Sequence, residues 1–301
     1  MNSPAIALVV FIFSYIFFIF LPAKRPHIAI GASILLLVTN TVSIKEAFLS
    51  VNWNVMGIFV GTLALADSFM ESRVPAYVAE IIINKVKTTT WSILAVCLIT
   101  GFISAFVENV ATVLIVAPIA VSLARKLKIS PVNMMIAVAV SSNLQGAATL
   151  IGDPPSMLLG GFARMNFMDF FFFKGRPSIF FAVEAGAAAS LFVLYFFFKQ
   201  YRQKPKIIPE EKIRSWVPAG LLAALIVLLA LSSFFDTGFS YMAGLICTVF
   251  GAFSVLWERA VNKRSVVKAV RKLDWETTLF LMGVFILVGG MTVNGWIDRT
   301  S

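Results

Sequence analysis

The segment SSNLQGAATLIGDPPSMLLGG, residues 141–161, interrupts a chain that otherwise reads as one apolar run after another. It sets serines, an asparagine, a glutamine, a threonine, an aspartate, two prolines and four glycines between apolar flanks. Hydrocarbon cannot satisfy free backbone polar groups, so a polar, helix-breaking stretch at that place decides what fold the chain can adopt.

Composition fixes the class around it. Of 301 residues, 59% are hydrophobic and 13% charged, against about 25% charged in an ordinary soluble domain. Several runs reach or approach the roughly 20 apolar residues that cross a hydrocarbon core. The chain therefore reads as an all-α polytopic membrane protein. Cys97 and Cys247 lie inside apolar runs, which supports neither a disulfide framework nor a zinc site. The formal charge of +10 is gathered in short clusters between spans, a pattern that membrane topology explains and nucleic-acid binding does not.

Spans are expected at 4–21, 28–43, 177–198, 216–234 and 239–257, with a final run from Trp275. Residues 4–21 follow MNSP without a basic n-region and read as a retained helix rather than a signal peptide. Region 53–86 holds two apolar stretches divided at Glu71-Ser72-Arg73, and VENVAT separates 91–106 from 113–124. The loops 22–27, 84–90, 125–130, 199–215 and 258–272 carry 2, 2, 3, 6 and 6 Lys and Arg, 19 of the chain's 25. The positive-inside rule places all five in the cytoplasm on one condition. Region 91–124 must enter and leave on the same face as a re-entrant hairpin, and region 131–163 must cross once as a broken helix. The hairpin arms, 12 to 16 apolar residues each, are short for a span. The chain is then an integral, multi-pass protein of the plasma (inner) membrane with its amino terminus outside.

Unwound backbone at membrane depth survives only when buried in protein or lining a watery cavity, and broken helices near the midplane are how secondary transporters build substrate and ion sites. Gly146, Gly152, Gly160 and Gly161 permit close backbone approach. Pro154 and Pro155 remove donors and push residue 153 towards an extended conformation. An extramembrane loop between two short helices is the alternative, and it spoils the charge topology. A second signal is an internal repeat. VNWNVMGIFVGTLALADSF (51–69) aligns without a gap on LDWETTLFLMGVFILVGGM (273–291), pairing Trp53 with Trp275, Gly61 with Gly283 and Leu65 with Leu287. The charge topology brings the two copies in from opposite faces, as in an inverted repeat.

ENVATVLIVAPIAV (108–121) and SSNLQGAATLIGDPPSMLLGG together resemble the paired signatures of the ion-transporter superfamily. Its arsenite permease/Na+/H+ antiporter (ArsB/NhaD) branch, which includes the pink-eyed dilution (P) protein, is the most similar, with the citrate-transporter-like branch beside it. The resemblance covers about residues 28–301. It implies a scaffold domain and a transport domain working by elevator-type alternating access, with a homodimer formed through the scaffold. It carries site roles to Asn109 and Thr112 at the hairpin tip and to Ser142, Asn143, Thr149, Gly152 and Asp153 in the broken helix. The sequence departs from the family pattern at Glu108 (for Asp), Ala111 (for Thr), Leu144-Gln145 (for Ile-Gly) and Ser156 (for Asn).

The side chains themselves suit ion handling. Asn109 and Asn143 each offer an amide donor and a carbonyl acceptor, and with Thr112 and Thr149 they suit a sodium ion or an oxyanion. Glu108 and Asp153 are ionisable groups near the membrane interior, which read as cation ligands or proton carriers. For Asp153 a cap on the following half-helix is an equal alternative. Asp67, Glu80 and Glu184 read as buried structural pairs or interface residues. The expected function is secondary transport of an inorganic ion, either an anion or metalloid such as arsenite or Na+/H+ exchange, with coupling to Na+ or H+. A citrate or dicarboxylate carrier is the alternative, and no other cofactor and no nucleic acid is expected. An intramembrane enzyme would need a nucleophile with a base or a metal cluster, which one histidine and two isolated cysteines do not supply.

The expected organisation is a helix and turn at 1–27, a first repeat at 28–199, a basic cytoplasmic linker at 200–215 and a partial second repeat at 216–301. The first repeat holds hairpin 91–124, broken helix 131–163 and helix 177–198. The second copy contains no hairpin or broken helix of its own, so the expectation is an incomplete carrier whose opposite half lies beyond this sequence or in another chain.

Overall fold

The structure, a computed structural model, describes residues 3–86, 88–126, 129–201, 212–236 and 238–297. Lys87, Lys128 and residues 202–211 of the basic linker lie outside the described residues, as do 298–301. The described chain is helical almost throughout. Its first helices are α1 (Ser3–Phe20), α2 (Arg25–Val38), α3 (Ile44–Ser50), α4 (Trp53–Glu71) and α5 (Val74–Lys85). Next come α6 (Thr89–Ser104), α7 (Asn109–Lys126), α8 (Pro131–Gly146), α9 (Pro154–Ala163) and α10 (Ile179–Phe198). The last are α11 (Val217–Ser232), α12 (Met242–Asn262), α13 (Val266–Lys272) and α14 (Trp275–Val293). The strands Phe172–Phe173 and Arg176–Pro177 form a minimal antiparallel hairpin before α10.

Among the described residues α1, α4, α10, α12 and α14 are long and apolar enough to cross a membrane, and α6, α7 and α11 are shorter apolar helices. Helix α10 turns most of its length outward, with Phe192, Val193 and Phe197 more than half exposed. Such a surface suits hydrocarbon rather than water. This is an all-α polytopic membrane protein.

Local chemistry sets the breaks. Helix α4 stops at Glu71, and the chain turns through Arg73 in the left-handed region (φ 60°) before Pro75 restarts a helix in the first turn of α5. Helix α9 starts on Pro154-Pro155 behind an extended Asp153, as the steric preference before proline requires. The gap between α6 and α7 is narrower than the sequence suggests, 105–108 rather than the six residues of VENVAT, because Asn109 already begins α7. Helix α12 outruns the expected 239–257 and reaches Asn262. Its last turn keeps Glu258 buried, where the carboxylate accepts from Ser68 Oγ (3.2 Å) and Asn262 Nδ2 (2.8 Å).

The chain divides into two compact units. The first comprises residues up to Met56 and those from Arg271 onward, which bring together α1, α2, α3 and α14. Its core includes Val10, Phe18, Ala29, Leu36, Val42, Ala47 and Leu287. A capping box fixes α3: Ser43 Oγ accepts from Glu46 N, and Glu46 Oε2 accepts from Ser43 N. The second unit, Gly57–Val270, packs α5, α6, α7, α8 and α10 around Phe69, Ile83, Ile93, Val96, Leu123, Met134 and Val138. It also holds the crossing of α4 and α12.

The structure extends the repeat well beyond the matched sequence. Trp53 and Trp275 each open a helix of 19 residues. The same displacement, 275 minus 53 or 222 residues, carries the seven-residue α3 onto the seven-residue α13 at both ends. It also carries Ala29 onto Gly251. In the first unit a Cβ on Gly283 of α14 would meet the Cβ of Ala29 in α2 at 2.7 Å. In the second unit a Cβ on Gly251 of α12 would meet the carbonyl oxygen of Gly61 in α4 at 2.6 Å. The two close crossings are therefore equivalent pairs, each joining a helix of one copy to a helix of the other.

Candidate functional site

The two breaks that the sequence singles out meet each other inside the second unit. At the tip between α6 and α7, Ser104 Oγ donates to Asn109 Oδ1 at 2.6 Å. Ser142, one turn from the end of α8, lies with its Oγ 2.9 Å from Ser104 Oγ and 3.1 Å from the Asn109 carbonyl oxygen. Each hydroxyl has one proton. Ser104 uses its own on the Asn109 side chain, so Ser142 gives its proton to the Asn109 carbonyl or to Ser104. Asn109 Nδ2 reaches Asn143 Oδ1 at 3.4 Å, while Asn143 Nδ2 donates to Ala139 O at 2.9 Å. Ser104 and Ser142 are fully buried and Asn143 is exposed, so the cluster runs from the interior to an open edge.

Glycine makes this approach feasible. A Cβ on Gly146 would overlap the Asn109 amide, and one on Gly152 would overlap the carbonyl of Gly146 while lying 2.9 Å from the carbonyls of Ser104 and Ala105. Thr149, also fully buried, donates through Oγ1 to the Ala105 carbonyl and pins the unwound segment of α8–α9 onto the hairpin tip. These contacts gather oxygens of Ser104, Ala105, Asn109, Ser142, Asn143 and Gly146 around two breaks. Such a set of neutral oxygens suits a hard cation of low charge. Among the described residues no group of three or more His, Cys, Asp or Glu approaches closely enough to hold a metal.

The structure brings Asn109, Ser142, Asn143, Thr149 and Gly152 together and leaves three other expected site residues on their own helices. Thr112 is fully buried, and its hydroxyl returns to the Val107 carbonyl at 3.3 Å. Glu108 Oε2 accepts from Ala111 N at 2.9 Å, capping the first turn of α7. Asp153 Oδ1 accepts from Ser156 N at 2.9 Å, the capping arrangement the sequence held open. Ser104 and Gly146 were not singled out from the sequence as site residues. Ser104 carries one weak signal, a small polar residue ending an apolar arm five positions before Asn109. Asp67, read as a structural pair, is one: its Oδ2 accepts from Arg264 Nη1 at 2.5 Å.

An all-helical membrane protein whose interrupted helices converge on a polar, oxygen-rich junction is built as a membrane transporter. The family comparison agrees. Residues 15–301 match CitMHS, the citrate transporter family, and the chain belongs to that family, which lies within the ArsB/NhaD-like ion-transporter superfamily. An uncharacterized transporter of Mycobacterium tuberculosis is 22% identical over 98% of this chain and 70% of its own length. One from Synechocystis is 25% identical over 91% of this chain and 62% of its own length. The human P protein is 29% identical over 54% of this chain and 20% of its own.

Proposed function

We propose that the protein is a cation-coupled secondary carrier of a small carboxylate such as citrate, with Asn109, Ser142 and Asn143 at its ion and substrate site. The observation that supports this reading most is the contact between the two breaks, Asn109 on Ser104, Ser142 and Asn143. In a bilayer, unwound backbone survives where it is buried in protein or lines a watery cavity, and amides and hydroxyls assembled around it can receive a polar occupant. The named cluster contains no Lys or Arg, so the negative charge of a carboxylate has to be balanced by a co-transported cation, Na+ or H+. The oxygens of Asn109 and Asn143 are the ligands assigned to Na+. Elevator-type movement, a scaffold homodimer, a plasma-membrane location and an external amino terminus go with this reading.

A second reading, transport of an inorganic ion such as arsenite or exchange of Na+ for H+, draws on the same neutral cluster, which suits a small uncharged or cationic cargo. Uptake into proteoliposomes separates the two. Citrate and succinate are offered with and without an inward Na+ gradient or a pH gradient, beside arsenite and Na+-driven proton release. Saturable citrate uptake that requires a cation gradient is the expected result. Flux of arsenite, or Na+/H+ exchange without carboxylate, would overturn the carboxylate reading.

A further inference from the structure

Beside the junction, on the adjoining face of α8, lies a separate chamber of about 30 Å³ bounded by α6, α8 and α10. Its polar wall is formed by Ser141, Gln145, Ser190 and Cys97, and its rim by Leu98, Leu144 and Leu191. The arrangement follows from helix geometry. Ser142 and Gly146, four apart, face Asn109, whereas Ser141 and Gln145, also four apart, face α6 and α10. Gly101 makes the room: a Cβ there would meet Gln145 Cγ at 2.7 Å.

The polar groups of this wall are not satisfied by one another. The Cys97 thiol interacts with Ser141, but among the described residues neither the Gln145 amide nor the Ser190 hydroxyl has a hydrogen-bond partner. Leu98 on the rim is about half exposed, on the outer surface of a helix bundle that belongs in lipid. Hydrocarbon offers the amide nothing. A volume of 30 Å³ accommodates about two water molecules, and each would find the two to four polar partners that a buried water requires.

We propose that this chamber is a binding site for ordered water, holding about two molecules that bridge Gln145, Ser190 and Ser141 behind the transport junction. The bridge joins the last turn of α8 to α10. Gln145 directly precedes Gly146, the residue that abuts Asn109, so the waters act as positioning elements for the junction.

The intact protein contains its own control. Both cysteines are buried, at 1% and 0% exposed, but Cys97 borders the chamber whereas Cys247 sits where α12 packs against Gly61. Radiolytic hydroxyl-radical footprinting of the whole chain in nanodiscs generates radicals from bound water in place. Because oxidation of a buried thiol follows its access to the oxidant, Cys97 is expected to oxidise at least about tenfold faster than Cys247. Ser190→Leu, or Ala187→Leu from the same helix, fills the chamber and should bring Cys97 down to the Cys247 rate. Equal rates at the two cysteines in the unaltered protein would overturn the proposal, as would a Cys97 rate unchanged by both chamber-filling variants.

Discussion

Ser104 Oγ donates to Asn109 Oδ1 at 2.6 Å and so ties the last turn of α6 to the first turn of α7. That bond, with Ser142 on the Asn109 backbone carbonyl, makes Asn109 the residue on which both breaks converge. Asn109→Ala is therefore expected to remove that acceptor and leave Ser104 to donate to Ser142 Oγ instead, at a cost of about 0.5–1.5 kcal/mol, and to reduce uptake to background. Asn143 is exposed and holds Asn109 only at 3.4 Å. Asn143→Ala should abolish transport while changing the thermal midpoint less than Asn109→Ala does. Uptake and thermal unfolding of both variants check this ordering; wild-type kinetics in either would remove that residue from the site.

Gly152 tests the close approach of the breaks. A side chain there collides with backbone carbonyls of Gly146, Ala105 and Ser104, none of which can swing aside. Gly152→Ala is expected to destabilise the protein by about 1–3 kcal/mol, as overpacking of a tight interior does, and to stop uptake. Gly31 in α2, where an added Cβ meets nothing within 4 Å, is the control. Gly31→Ala should raise stability slightly, because alanine replaces glycine inside a helix. A thermal midpoint for Gly152→Ala no lower than for Gly31→Ala would refute the packing argument.

The crossings of the repeated helices carry a third prediction. The atom nearest a Cβ on Gly283 is the Ala29 Cβ, a side-chain atom, at 2.7 Å, with the Ala29 backbone carbon next at 2.9 Å. Gly283→Ala should lower the unfolding midpoint, and adding Ala29→Gly should restore part of it. At the equivalent crossing the partner position is already Gly251, and a Cβ on Gly61 would meet the backbone of Cys247 and Thr248 instead. No such rescue is open to Gly61→Ala there. A double-mutant cycle reads the coupling directly; strict additivity of Gly283→Ala and Ala29→Gly would refute it.

The sequence shows its large features because they rest on local rules. Apolar runs locate the helices, prolines locate the starts of α8 and α9, and the tryptophan-headed repeat marks α4 and α14. What it hides depends on partners distant in the chain. Ser104 is one serine among many until Ser142, thirty-eight residues on, comes within 2.9 Å of it. The equivalence of Ala29 with Gly251 is equally silent, because α2 and α12 share helix packing rather than residue identities. Glu108 and Asp153 show a second kind of detail that the sequence leaves open. A carboxylate beside a helix break resembles an ion ligand in sequence, and three-dimensional placement is needed to see it accept from a backbone amide three residues on.

The connection between α11 and α12 gives a pH-dependent prediction. Burial would push the Asp236 carboxyl up, but hydrogen bonds from Ser240 N and Oγ, Met242 N and Tyr241 N together hold it below its ordinary value. A group whose folded pKa is depressed contributes stability that is complete above the unfolded value, about 3.9 for aspartate, and disappears as pH falls through the folded pKa. Asp236→Asn retains one acceptor oxygen and loses the charge, so it should unfold at a lower temperature than the unaltered protein at neutral pH. The difference should shrink as pH is taken below about 4, because the unaltered carboxyl is then protonated as well. Thermal midpoints of both proteins from neutral pH down to the acid range check the trend. A gap that stays constant across that range would show that the loop is held by shape alone and that the Asp236 charge contributes nothing.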